Sequence, residues 1–161
     1  MIACNYYSGE PVTGLEEGRP MFLRRPDSHL GLANFMRSHL YASLVTLKIG
    51  LDILLKEEDV KIDSITGRGG LFKTKGVGQS ILAAAMNAPI SVMETAGEGG
   101  AWGMALLAAY MLSKKDGQSL GDYLDSRVFA ERKSETMEPD PADVAGFETY
   151  TKQYQACLAA E

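Results

Sequence analysis

The sequence contains few of the residues that build metal centres and disulfide frameworks. Among its 161 residues are 2 cysteines and 2 histidines. Cys4 and Cys157 stand near opposite ends of the chain and fit neither a CxxC pair nor a Cys/His spacing typical of metal sites. A chain of this length buries roughly 70% of its unfolded surface and needs no disulfide for a packed core. We therefore expect two reduced thiols and a cytoplasmic protein.

Long apolar runs and basic clusters are also missing from the sequence. No run approaches an apolar span of about 18 residues, and residues 1–10 lack the basic start and apolar stretch of a secretion signal. Lys and Arg number 16 against 21 Asp and Glu, and the net charge of -5 disfavours binding to a nucleic-acid backbone. The composition predicts a single globular domain, 1–161, that binds neither membrane nor nucleic acid. A mononucleotide remains possible.

Short β-like runs alternate with amphipathic helices, which is the pattern of an α/β domain. Strands are predicted at 1–7, 19–25, 60–65 and 90–93. The connection between the last two is long enough to join parallel strands. We expect a short, mostly parallel sheet with one long helix and several packed helices.

The long helix is predicted to follow the candidate caps Asp27 and Ser28, with apolar residues every three or four positions. This leucine stripe, expected to be core, consists of Leu32, Met36, Leu40, Leu44, Leu47, Leu51 and Leu54. Further helices are predicted at 77–86, 101–112 and 120–129, of which the second is expected to be buried. Residues 130–140 are expected to form a polar loop before a last helix that begins at Asp140 and Pro141.

Two glycine-rich segments each follow a predicted strand and lead into a helix, where α/β folds bind ligands. In the first, Gly69 and Gly70 permit close approach of a ligand. Lys73 and Lys75 add positive charge, and Thr74 adds a hydroxyl. The spacing is neither a Walker loop nor GxGxxG. The plain alternative is a tight strand-to-helix turn with solvated lysines.

The second glycine-rich segment, TAGEGG, contains Gly99 and Gly100 and precedes Trp102. The simplest interpretation is structural. Gly103 and the alanines after it would let the following helix lie close to the sheet, with Trp102 as packing.

The remaining polar candidates lack the partners that catalysis needs. Glu94 and Glu98 have no nucleophile or metal ligand in their context. His29 and His39 have no Cys or His partner at metal spacing, and the sequence has no GxSxG elbow. We assign no catalytic residue and no metal ligand.

Several motifs occur in a characteristic order. The run ITGRGGLFKTKGVGQSILAAAMNAPISVMETAGEGGAWGMALLAAY has paired glycines after a strand, Gln79 on the next helix, a second strand, and a Glu/Gly/Ala-rich start to an alanine-rich helix. Upstream stands NYYSGEPVTGLEEGRP with its SGE segment. Together these motifs resemble the C-terminal, nucleotide-side domain of the FGGY carbohydrate kinases, most closely the ribulokinase- and xylulokinase-like members, over nearly the whole chain.

The resemblance implies an actin-like ATPase fold with a ribonuclease-H-like core, and ATP with Mg²⁺ as cofactor. It places Gly69 and Gly70 near the phosphate and sugar of the nucleotide, Thr74 near the adenosine, and Gly99 and Gly100 at the other wall. The predicted role of Lys73 as a phosphate contact rests on its charge alone. The parent reaction would be ATP-dependent phosphorylation of a sugar or keto-sugar, of the pentulose class.

The sequence departs from the family in places. Tyr41 stands where many relatives have an acidic residue, so the long helix is not assigned to the site, and LFK replaces the usual small residues after Gly70. The resemblance places the sugar-binding domain and the general-base Asp before Met1. Phosphoryl transfer needs acceptor, Mg²⁺ and γ-phosphate positioned together. We therefore expect the chain by itself to be at most a weak binder of ATP or ADP.

A second hypothesis, from a different class, is a non-catalytic interaction or oligomerisation module that kept the kinase fold. Interrupted sheets expose backbone edges and apolar faces that pair with another copy. Both hypotheses predict a homodimer or larger assembly, and nucleotide binding distinguishes them.

Overall fold

The computed structural model describes residues 1–62, 64–93, 99–130 and 134–160. The chain divides into two compact units. Unit 1 contains Met1–Asp63, Ser80–Ala88 and Glu138–Glu161, and unit 2 contains Ser64–Gln79 and Pro89–Met137.

Unit 1 combines a small antiparallel sheet with two long helices. Strands β1 (Ile2–Cys4) and β2 (Met21–Leu23) pair with Ile2 opposite Leu23. Helix α1 (Leu32–Asp52) continues into a π-helical turn, Ile53–Glu57, and helix α5 (Pro141–Cys157) contacts both α1 and β1. The predicted start of α5 is confirmed, because the Asp140 carboxylate accepts hydrogen bonds from the backbone N–H groups of Ala142 and Asp143.

Aromatic residues form the core of unit 1. The ring of Tyr41 on α1 lies 4.7 Å from that of Phe147 and 5.2 Å from that of Tyr150, both on α5. The Tyr150 hydroxyl donates to the Ser38 carbonyl at 3.1 Å, and burial raises the pKa of Tyr150 although the backbone of Ala3 opposes the change. Tyr41 is therefore a core residue of unit 1.

The leucine stripe of α1 is not the core face of that helix. The buried apolar residues of α1 are Tyr41, Ala42, Leu44 and Val45, so Leu44 is the one member of the stripe that is buried. Leu32 is 78% exposed. The prediction was wrong because the aromatic residues of α5 select the neighbouring face, which a local spacing pattern does not reveal.

The predicted caps of α1 belong instead to the preceding turn. Ser28 Oγ accepts from the backbone N–H of Arg25 at 3.1 Å, and Asp27 forms an ion pair with Arg25. Helix α1 begins after Gly31, which has no side chain to cap it.

Unit 2 contains a three-stranded sheet in the order β3 (Ile65–Gly67), β4 (Ile90–Met93) and β5 (Ser134–Met137). Strands β3 and β4 are parallel, whereas β4 and β5 are antiparallel. The α/β class is confirmed, but the expected predominance of parallel pairs is not met. Residues 134–137 of the expected polar loop form a strand, and the predicted strand at 60–65 is replaced by β3.

The helices of the described chain otherwise follow the sequence prediction closely. Helix α2 (Val77–Met86) and helix α3 (Gly99–Ser113) lie where expected. Helix α4 (Leu120–Tyr123) is capped by Ser119 and continues into a π-helical turn, Leu124–Val128.

Helix α3 contradicts the expectation of a buried helix. None of its described residues is buried, and Leu112 is 90% exposed. A Cβ added at Gly103 would meet no described atom within 4 Å, so this glycine is not required for close packing.

By length and composition alone, Leu32–Glu57 is long and apolar enough to cross a membrane, contrary to the sequence expectation. The core helix of a soluble protein passes the same test. In unit 1 this helix packs against β1 and α5.

Candidate functional site

The first glycine-rich turn starts at a crowded point in unit 2. Gly67, at the end of β3, is buried, and a Cβ at this position would lie 2.4 Å from the Phe72 ring. Gly69 has a φ of 110°, in a region that L side chains rarely adopt. The chain then forms a 3₁₀ turn, Gly70–Phe72, before it reaches α2. Glycine at 67 and 69 therefore allows the chain to fold back sharply at the end of β3.

A cleft of about 540 Å³ lies beside this turn. Pockets that hold small ligands measure about 300–1,000 Å³. The lining residues come from the turn, the first residues of α2, and strands β4 and β5: Phe72, Lys73, Thr74, Lys75, Gly76, Gln79, Val92, Met93, Ser134 and Glu135. The cleft lies entirely within unit 2.

The cleft is lined by both charged and apolar side chains. Lys73, Thr74 and Lys75 are consecutive and contribute two ammonium groups and a hydroxyl. Lys75 Nζ lies 3.1 Å from Glu135 Oε2, and both side chains are exposed. Phe72, Val92 and Met93 contribute apolar surface. The cleft therefore offers both charged and apolar groups to a ligand.

Gln79 holds the walls of the cleft together. Its side chain is buried, and Nε2 donates to the Ile90 carbonyl at 2.7 Å and to the Glu135 carbonyl at 2.8 Å. These two bonds tie the first turn of α2 to β4 and β5. Gln79, which stands in the sequence as part of a motif, therefore holds the backbone of β4 and β5 in place.

The N-terminus of α3 lies against the other side of the β3 turn. The Arg68 guanidinium is 4.8 Å from the centre of the Trp102 ring, and Arg68 Nη2 is 3.5 Å from Met93 Sδ. A Cβ at Gly99 would lie 3.3 Å from the Cβ of Arg68, whereas one at Gly100 would meet no described atom within 4 Å. Trp102 thus packs as expected.

The remaining candidates form no reactive cluster in the described structure. His39 stacks on Phe22 with ring centres 5.9 Å apart, and His29 lines a separate cavity of about 190 Å³ in unit 1. Cys4 and Cys157 are thiols, as predicted. Glu94 and Glu98 lie outside the described residues. Within the described ranges, no group of three His, Cys, Asp or Glu residues could hold a metal ion.

The sequence of the turn and of the preceding segments matches a protein-family model. The model is that of the C-terminal domain of the FGGY family of carbohydrate kinases, and it matches residues 1–112. The chain belongs to this family. The predicted actin-like ATPase fold of the FGGY domain is thereby confirmed.

Solved structures with this fold include a xylulose kinase and a gluconate kinase from Lactobacillus acidophilus. Their TM-scores are 0.67 and 0.66, at 20% and 19% identity over 99% of this chain. A xylulose kinase from Rhodospirillum rubrum gives a TM-score of 0.60 at 18% identity, also over 99% of this chain. The FGGY chain spans 31%, 30% and 29% of these three proteins. No curated protein matches the chain significantly.

The structure brings together part of the predicted nucleotide set. Lys73 and Thr74 line the cleft, and Gly69 and Gly70 form the turn that leads into it. Gly99 and Gly100 are not among the described lining residues, and Gly99 lies beside Arg68. The assignment of all six to a nucleotide stays a prediction.

Sequence reasoning predicted a nucleotide role for Lys73 and Thr74 and singled out Lys75 and Gln79, but it missed the other described residues of the cleft wall. The missed residues are Phe72, Gly76, Val92, Met93, Ser134 and Glu135. The sequence did offer a signal for Phe72 and Met93, because they stand at the ends of a turn and of a strand. No local signal marked 134–137, because the segment is short and polar.

Proposed function

We propose that the chain forms the nucleotide-binding side of an ATP-dependent sugar kinase. The observation that carries this proposal is the cleft beside the glycine turn, with Lys73, Thr74 and Lys75 near one another and an apolar surface at Val92. A nucleotide has the complementary parts: an anionic phosphate chain, a hydroxylated sugar and a flat base. Ammonium groups bind phosphate through charge-assisted hydrogen bonds.

Each predicted residue has a defined task in this proposal. Lys73 neutralises phosphate charge, with Lys75 as a second cation, and Thr74 contacts the adenosine. Gly69 and Gly70 let backbone approach the phosphate and sugar, because neither position carries a side chain. Gly99 and Gly100 are proposed to form the other wall when nucleotide is bound.

The residues that line the cleft fit ATP whose Mg²⁺ is held through the phosphates. Glu135 is the one carboxylate among the described lining residues, and it is paired with Lys75. Mg²⁺ commonly keeps several waters and binds through one or two carboxylates together with substrate phosphates. When bound, ATP supplies the phosphoryl group that is transferred.

The acceptor is proposed to be a sugar or keto-sugar of the pentulose class. Family membership and the similarity to xylulose and gluconate kinases support this class. Because the chain spans about a third of those kinases, we propose that the sugar site and catalytic base belong to a different part of the enzyme. The chain by itself would bind nucleotide without transferring phosphate, in the cytoplasm.

Calorimetric titration with ATP and Mg²⁺ tests the proposal. We expect Lys73→Met to weaken ATP binding about tenfold, since hydrogen bonds to charged groups contribute about 1.5–3 kcal/mol. Lys115→Met is the matched control, because Lys115 is exposed and does not line the cleft. A folded sample that releases no heat at millimolar ATP would refute the proposal.

A second function is favoured by a separate observation, the exposed apolar residues of α1 and α3. Leu32, Met36 and Leu47 on α1 and Met104 and Met111 on α3 are all exposed. Exposed apolar side chains that form a patch favour association. We propose that copies of the chain form a homodimer or larger assembly; light scattering that gives the mass of one chain at high concentration would contradict it.

A further inference from the structure

Strand β5 contributes a carboxylate to the cleft from outside the matched domain. The family model ends at residue 112, whereas β5 covers Ser134–Met137. Glu135 lines the cleft and is the one acidic side chain among its described lining residues. The family match therefore assigns no function to this group.

The position of Glu135 is fixed by its neighbours. Its carbonyl accepts from Gln79 at 2.8 Å, and the residue is opposite Val92 in the β4–β5 register. Its Oε2 atom lies 3.1 Å from Lys75 Nζ. The backbone is thus anchored to a buried side chain, and the carboxylate lies next to the Lys75 ammonium.

The chemistry of a carboxylate limits what it can bind here. An ionised carboxylate only accepts hydrogen bonds, and it repels phosphate. The ribose of a nucleotide adjoins the α-phosphate and presents two neighbouring hydroxyl donors. Glu135 lies beside Lys75, the second cation proposed for the phosphate, so its carboxylate is placed to meet the ribose.

We propose that Glu135 accepts hydrogen bonds from the 2′- and 3′-hydroxyls of a bound nucleotide and so selects ribonucleotides over deoxynucleotides. The inference rests on the proposed nucleotide function. Lys75 holds the carboxylate at the edge of the ribose position, and Gln79 fixes the strand that carries it.

The test compares ATP, 2′-deoxy-ATP and 3′-deoxy-ATP, each with Mg²⁺, by calorimetry on the full chain. We expect the wild-type chain to bind ATP about fivefold to tenfold more tightly than either deoxy analogue. This factor is the contribution of one hydrogen bond to a charged group, reduced because the group is exposed to solvent. Glu135→Ala should lower this preference to less than about twofold. Glu138→Ala removes the same charge from an exposed neighbour that does not line the cleft, and it should retain the preference.

The outcomes separate this inference from the proposed function. Equal binding of all three nucleotides by the wild-type chain, or an undiminished preference in Glu135→Ala, overturns the ribose role and leaves ATP binding intact. Equal loss of preference in Glu138→Ala also overturns it, because a general charge effect then explains the result. Absence of ATP binding by a folded wild-type sample overturns both.

Discussion

Replacement of Lys48 should destabilise unit 1 more than replacement of any exposed lysine. The Lys48 side chain is 7% exposed, and its ammonium lies 2.6 Å from Asp52 Oδ1 and 3.1 Å from Glu148 Oε1. Asp52 is on α1 and Glu148 is on α5, so this one cation connects the two long helices. The perturbation is Lys48→Met, which retains most of the apolar stem and removes the charge.

The expected cost follows from what remains after the charge is removed. Breaking a buried ion pair costs roughly 3–5 kcal/mol because the remaining charge is left without compensation. Here Asp52 keeps Lys56 at 2.9 Å, and the Glu148 side chain is 40% exposed and can be hydrated. We therefore expect a loss of about 2 kcal/mol in the free energy of unfolding, below the fully buried case.

Urea unfolding followed by far-ultraviolet circular dichroism measures this loss. Lys56→Met is the control, since its side chain is 63% exposed and pairs of this kind contribute about 0.2–1 kcal/mol. The denaturant slope should be the same in all three proteins, because the surface exposed on unfolding is unchanged. Equal losses in Lys48→Met and Lys56→Met would refute the reasoning.

Three further substitutions test other features of the structure. Burial opposes ionisation of Asp52, but hydrogen bonds from Lys48 and Lys56 outweigh it and lower its pKa. The stabilisation from the Asp52 carboxylate is therefore present above the unfolded pKa of about 3.9 and is lost as the pH falls through the lower pKa of the folded protein. A difference in the free energy of unfolding between wild type and Asp52→Asn that grew on acidification would contradict this. Gly67→Ala should displace the Phe72 ring, lower the free energy of unfolding by about 1–3 kcal/mol and weaken ATP binding. Gly103→Ala in α3 should instead raise the free energy of unfolding by about 0.5–1 kcal/mol. Thermal unfolding and calorimetry compare the two variants, and equal effects would show that the contact at Gly67 is easily relieved.

Elements with strong local signals were predictable from the sequence. Helix α5 starts at Asp140 and Pro141 because a capping carboxylate and a proline act within one turn. Helix α2 and strand β4 were bounded correctly because Asn87 and Pro89 separate them. These features depend on residues a few positions apart.

Features that depend on distant partners were not predictable. The leucine stripe of α1 satisfies the helical period, yet the buried face is decided by the rings of Phe147 and Tyr150, which lie about a hundred positions further along the chain. The same limit explains α3, whose apolar sequence indicated burial. Hydrophobic spacing predicts a helix here but does not identify the surface it packs against.

The candidate site likewise has one part that was predictable from the sequence and one part that was not. Its turn, with Gly69, Gly70, Lys73 and Thr74, is local and was found from the order of motifs. Its far wall depends on β5, whose register is fixed by the bond of 2.8 Å between the hydroxyls of Ser91 and Thr136 and by the two bonds of Gln79.

A slip of one residue in this pairing would turn the Glu135 side chain to the opposite face of the sheet. Gln79, which the sequence marked only as part of a motif, is therefore the link between the predictable turn and the unpredictable wall. Shortening it to Asn should remove the preference for ribonucleotides along with the wall, while the lysines of the turn continue to bind phosphate.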